Sequence, residues 1–339
     1  MRRTRSESGF SLIELLVATG LLLTVSAIVT SALLQMTQSQ ATIWNRTEMH
    51  SGIRGATELL QQEVGQAGRV SVPGTQAQPG VIVLTQAVND VAGADPHAQT
   101  TCDPGTPTAG AATVSVNSTA GLFADPGPPA ASYELFTTFD GGQQEVVKVA
   151  SFDAGASTIT ACFTKQHANG AVLSPLGAFA TGIIPKTGIV GGSTATKLKL
   201  YGDIVGDGNM VYAEYTCDYA SNNLYRNVMA FDAASKPAVT NSNILLSNII
   251  ANPGGTDCFT YQETTLTVQG TPFTFVLDVA VTLTVQTQQL DPITKTYQTE
   301  TKALLNVSPR NVFAGWEMAS LGYTDHIQST PTSVSKLMP

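Results

Sequence analysis

One stretch limits what this chain can fold into more than any other. An uncharged apolar run extends from Leu15 to Leu34, with one carboxylate, Glu14, at its threshold. A run of that length makes roughly 30 Å of helix at ~1.5 Å per residue, which matches the hydrocarbon thickness of a bilayer. A short leader, Met1 to Ser8, carries Arg2, Arg3 and Arg5 and favours a cytoplasmic N-terminus. Glu14 is the informative residue. An ionised acid inside a membrane helix costs about 2–3 kcal/mol near the centre and less near an end, so a plain anchor has no use for it. Glu14 lies one helical turn from Phe10. Cleavage after Gly9 would give Phe10 a new α-ammonium, and pairing that amine with a carboxylate relieves the cost of burying either alone.

The residues Gly-Phe-Ser-Leu-Ile-Glu-Leu-Leu-Val-Ala at positions 9 to 18 closely resemble the class III signal of type IV prepilins and type II secretion pseudopilins. The resemblance implies cleavage between Gly9 and Phe10 by a prepilin peptidase, N-methylation of Phe10, and a role for Glu14 in subunit docking. It also implies partners: other pilins and minor pilins, and an inner-membrane assembly platform. Two blander readings stand beside it. One is an ordinary secretory signal cleaved near Val25-Ser26-Ala27, although such signals rarely contain Glu. The other is an uncleaved signal anchor.

The chain carries a formal net charge of -8, and only 12 % of its residues are charged. An acidic chain lacks the basic face of an electrostatic nucleic-acid binder. The abundance of Thr, Ser, Ala, Val, Gly and Gln has the texture of an exported β-rich protein. Four cysteines, Cys102, Cys162, Cys217 and Cys258, all follow the apolar run, and none forms a Cys-x-x-Cys pair. Outside the cytoplasm they are disulfide candidates with three possible connectivities. Cys102–Cys162 and Cys217–Cys258 are favoured because each pair brackets one strand-rich segment; four unpaired buried thiols are the alternative. His97 and His167 each lie near one cysteine, but no two cysteines have the spacing of a zinc site.

An α+β fold is expected, with a long N-terminal helix against an antiparallel β head. The spacing of Met49, Ile53, Ala56, Leu60, Val64 and Ala67 at steps of three and four predicts an amphipathic continuation. The helix should run from about 11 to 68, with a weak point between Gln35 and Thr47 and a close near Gly65, Gly68 and Pro73-Gly74. The divisions are a leader (1–9), a transmembrane helix (10–34), its amphipathic continuation (35–70) and a loop-rich connection (71–112). An inserted β module (113–175), a β head (176–315) and a loosely held tail (316–339) follow. Strands are expected at 81–85, 113–117, 133–139, 145–149, 157–162, 197–201, 210–215, 223–226, 273–289 and 297–305.

Further segments resemble the PilW-like minor pilins and the related J-type pseudopilins of type II secretion. They are Glu63-Val-Gly-Gln-Ala-Gly-Arg69 at the helix end, the Asp-Gly turn of 202–209 between two strands, Leu224-Tyr-Arg226, and Arg310-Asn311. Residues 116–121 and 167–170 resemble a small β module of exported bacterial proteins. The resemblance implies a pilin-like head.

No nucleophile elbow, His-Glu-x-x-His pair or phosphate-binding loop occurs. His50, His97, His167 and His326 are scattered and read as surface or packing residues. No enzymatic activity and no cofactor are expected. Asp203, Asp207 and Asn209 offer oxygen ligands for calcium but lack EF-hand spacing; a tight hairpin turn explains them equally. The functional expectation is a minor pilin of a type IV pilus, held in the inner membrane with a periplasmic head and then built into the filament or its tip complex. The alternatives are a J-type pseudopilin, or an adhesin that uses the inserted module.

Overall fold

In a computed structural model, the described residues are 11–68, 82–88, 112–119, 124–125, 131–132, 135–139, 145–161, 163, 165–176, 178–179, 181–206, 210–231, 233–268, 271–322, 327–328 and 330–339. They form an α+β chain with a long apolar N-terminal helix and mainly antiparallel sheets. The chain divides into two compact units, Met1–Gly52 with Val285–Glu300, and Ile53–Thr284 with Thr301–Pro339.

Helix α1 spans Leu12–Gln66, 55 residues, and is unbroken through the Gln35–Thr47 stretch. Threonine is a poor helix former because its hydroxyl competes for backbone partners. Here Thr37, Thr42 and Thr47 turn those hydroxyls onto the carbonyls of the preceding turn, at 2.9–3.1 Å. In the second unit the helix buries Ile53, Ala56, Leu60 and Val64, at steps of three and four, together with Ala67 just past its end. That is the face the apolar spacing marks.

A six-stranded antiparallel sheet has the order Ile82–Val83, Val172–Leu176, Leu135–Phe139, Glu145–Asp153, Thr158–Ala161 and Ala112–Ser115. Its own core gathers Leu84, Val114, Val116, Val149, Ile159, Phe163 and Leu173. The expected module boundary at 113 is therefore corrected. Ile82 and Val83 pair with Leu173 and Val172, and Leu84 bridges Val116, so the module begins inside the segment read as connection. The Asp153-Ala-Gly155 turn is closed by the Asp153 carboxylate, which accepts from the N–H groups of Gly155 and Ala156 at 2.8 and 3.0 Å.

A four-stranded sheet follows in the order Lys197–Gly202, Val211–Asp218, Asn223–Ala230 and Ile244–Ser247. The long strand Thr271–Gln286 pairs with Phe259–Val268, with Thr299–Val307 and with Ile249–Ile250. The strands at 244–250 and 259–268 lie in a stretch to which the sequence reading assigned nothing. Cys217 and Cys258 form a disulfide between these two sheets, with a Cα–Cα distance of 6.6 Å. Cys102 and Cys162 lie outside the described residues.

The expected loose tail is the clearest correction. Helix α2 spans Arg310–Ser320, a short strand Ile327–Gln328 pairs parallel with Ala178–Phe179, and helix α3 spans Thr332–Leu337. Val334, Leu337 and Met338 are almost fully buried against Ile184, Tyr201, Tyr212, Met229 and Phe231. The apolar residues at 334, 337 and 338 make one helical face, and burying that face holds the polar remainder in place.

Candidate functional site

The N-terminal end of α1 is built by the residues the signal motif contains. Ser11 precedes the first helical residue, and its N–H donates to the Glu14 carboxylate at 3.1 Å. The Glu14 side chain thus reaches back one turn to satisfy a donor that the helix leaves orphaned, as the acidic member of a capping box does. The Ser-x-x-Glu spacing was a legible signal for this second use of Glu14. Gly9 and Phe10 lie outside the described residues.

From Leu12 to Met36, fourteen large apolar side chains are exposed, on every side of the helix. Polar groups there are quietened internally: Thr19 donates to the carbonyls of Leu15 and Leu16, and Thr24 to that of Leu21, at 2.8–3.0 Å. They are 51–81 % exposed, and covering what remains, at roughly 1 kcal/mol each, would gain on the order of 13 kcal/mol. That is comparable to the whole ~5–15 kcal/mol net stability of a typical domain, so the stretch calls for a non-aqueous surround. The helix is long and apolar enough to cross a membrane, and none of its most apolar window is buried within the chain.

In the second unit, the last turns of α1 are keyed to the sheet by a buried polar cluster. Glu63, 3 % exposed, accepts from the Tyr215 hydroxyl and from Arg226 Nη2, and from Arg226 Nε at 3.2 Å. Burial, reinforced by the Glu63 charge, pushes the Tyr215 phenol well above its ordinary pKa. For Arg226, burial works against the charged form, but the hydrogen bond and charge of Glu63 outweigh it and raise the pKa. Just beyond, Gly68, Gly182 and Gly202 bring three backbone segments into contact. A Cβ on Gly182 would lie 2.4 Å from the Gly68 Cα, and one on Gly202 would lie 2.3 Å from the Gly68 carbonyl oxygen. Asn311 Nδ2 donates to the carbonyls of Gln66 and Gly68 at 3.1 and 3.3 Å, closing the helix end. The structure thus joins Glu63, Arg226, Gly68, Gly202 and Asn311, which the sequence reading noted in four separate segments. Sequence reasoning misses Tyr215 and Gly182 as partners, for which no local signal exists.

Of the remaining candidates, Asp203 accepts from the Gly206 N–H at 2.8 Å, which is the tight-turn reading. Asp207 and Asn209 lie outside the described residues, and no group of three or more metal-ligating side chains occurs among those described. His50 pairs with Glu300, and His167 is buried beside Phe163. His97 and His326 lie outside the described residues.

Fold and site together define an α+β chain led by a candidate membrane-spanning helix, with a disulfide that suits an oxidising compartment. No protein-family model, curated protein or solved structure matches the chain.

Proposed function

We propose that this chain is a minor pilin of a type IV pilus. It waits in the inner membrane with a periplasmic, pilin-like head, and enters the filament or its tip or priming complex after a prepilin peptidase cuts between Gly9 and Phe10. One observation carries the reading: a Gly-Phe junction precedes a helix that carries Glu14 in its first turn and whose large apolar side chains from Leu12 to Met36 stay exposed among the described residues. Before assembly, lipid covers that surface. Afterwards, the helices of neighbouring subunits and the assembly platform take over. In the filament Glu14 exchanges its local N–H for the amine of a neighbouring Phe10, a charge-assisted contact in a dry surround. The role is structural, with no chemical step and no cofactor.

The test is the N-terminus of the mature chain from cells with and without prepilin peptidase. A chain beginning at methylated Phe10 only when the peptidase is present is the expected result, and any other mature start refutes the reading. A Glu14→Ala chain should be processed but left out of filaments. The self-contained core of the six-stranded sheet favours one addition, an adhesin role for that module. Its deletion should then leave piliation intact and abolish attachment. A J-type pseudopilin shares every feature above, and recovery of the chain with secretion pseudopilins in place of pili would favour it.

A further inference from the structure

The first unit presents a second apolar feature that the anchor does not explain. Between the strands Thr271–Gln286 and Thr299–Val307 lies a turn that exposes Leu290, Ile293 and Tyr297, at 51, 59 and 48 %. This turn is built to hold them outward. Asp291, 3 % exposed, accepts from the N–H groups of Ile293 and Thr294, both at 2.8 Å. Its own N–H donates to the Thr296 carbonyl, and the Lys295 N–H donates to the Asp291 carbonyl. Apolar side chains carried on a braced turn are a presented surface, unlike scattered exposed residues.

The direction of the turn follows from three contacts with α1. Glu300 meets His50, Gln298 meets Arg46, and the Asp291 carboxylate meets the Thr42 hydroxyl. Passing from strand to tip, the partners descend α1 toward its N-terminus, so the tip points at the apolar run. At the same level Ile43 and Trp44 are 65 and 74 % exposed. They leave the helix in directions away from the Thr42–Arg46 face, and helical side chains lean toward the N-terminus. Ile43 sits seven residues past Met36, roughly 10 Å along the axis, a few ångströms outside a headgroup layer about 5–8 Å deep, and the lean of its side chain toward the N-terminus brings it back to that layer's outer surface. Trp and Tyr are enriched at that depth.

We infer that Leu290, Ile293, Ile43 and Trp44 form a collar that rests on the headgroup layer of the membrane, fixing the depth of the subunit before assembly. Apolar groups arranged around the helix at one level fit a plane of lipid, whereas a single protein partner would require one face. This inference rests on reading α1 as a membrane span, and the experiment separates the two.

The full chain, in a Trp44→Phe, Trp316→Phe background, is reconstituted in vesicles of phosphatidylethanolamine and phosphatidylglycerol carrying spin-labelled lipids. A single reporter is placed by Ile293→Trp, Thr299→Trp or Leu22→Trp. Leu22→Trp should be quenched by deep labels, which reports the span. Ile293→Trp should shift to the blue and be quenched several-fold more by headgroup labels than Thr299→Trp. Native Trp44 in a Trp316→Phe chain should behave like position 293, which covers the case of a misfolded turn variant. Equal quenching at 293 and 299, with Leu22→Trp quenched, overturns the collar and leaves the anchor standing. Quenching at 293 that disappears when protein is diluted in lipid also overturns it, because a second copy of the chain is then the cover. No deep quenching at position 22 removes the anchor and the collar together.

Discussion

Replacing Glu63 with Gln tests the keying of α1 to the sheet. The substitution keeps the shape and can still accept from the Tyr215 hydroxyl, but it leaves the Arg226 guanidinium without its charge partner. Removing one member of a buried ion pair costs about 3–5 kcal/mol, mostly from the charge left behind. Arg226 is 28 % exposed, so water reaches part of it and the lower figure applies. A loss of about 3 kcal/mol lowers the melting temperature by roughly 6–12 °C for a folded unit of this size. The assay is thermal unfolding of the full chain in mild non-ionic detergent, followed by near-ultraviolet circular dichroism of the buried tyrosines. A Glu63→Leu, Arg226→Met double variant removes both charges and should lose less than the sum of the single losses, by at least about 1 kcal/mol. A Glu63→Gln loss below about 1 kcal/mol, or strict additivity in the double variant, refutes the coupling.

Glu214 gives a pH dependence of known sign. Burial alone would raise its pKa, but Lys236 and Lys197, at 2.8 and 2.9 Å, outweigh it and hold the carboxyl below its ordinary value of 4.5. The stabilisation is therefore complete above about pH 4.5 and is lost as pH falls through the folded value; acid titration of a Glu214→Gln chain should show a shallower stability loss across that window. Gly202→Ala should cost at least about 2 kcal/mol, because its φ is +148° and the new methyl group meets the Gly68 carbonyl. Gly254→Ala, at a positive φ but in open space, should cost about 1–2 kcal/mol in the same melt, from backbone strain alone. The Cys217–Cys258 bond closes a separation of 41 residues, so the paired Cys→Ser variants should lose about 4 kcal/mol of stability in denaturant titration.

How much of this was legible depended on how far apart the cooperating residues lie. The long helix declared itself through local periodicity, and strands such as Lys197–Gly202 and Val211–Asp218 through their composition. Phe259–Val268 alternates only loosely, and its Thr-rich outward face hid it among loop-like residues. A proline fits at the start of a helix, where its missing N–H costs nothing, as well as after the end of a strand; Pro309 precedes α2. The tail was misread because three apolar residues among polar ones look too few to hold a segment. The pocket that receives them, lined by Tyr201 and Tyr212, is assembled more than a hundred residues earlier. Glu63 and Arg226 are 163 positions apart, a separation at which spacing carries no information about contact.

The even distribution of apolar groups around the first part of α1 has a mechanical meaning. A rod greasy on one side would find its own rotational setting against whatever surrounds it; this one has no keyway, and can turn or slip lengthwise at little cost. If the chain works as proposed, register is imposed where the rod is no longer smooth: at Glu14 near one end, and at the braced turn beside Thr42 and Arg46 further along. Between those two points the helix works as an axle, and changes there should alter how firmly it is held far more than where it sits.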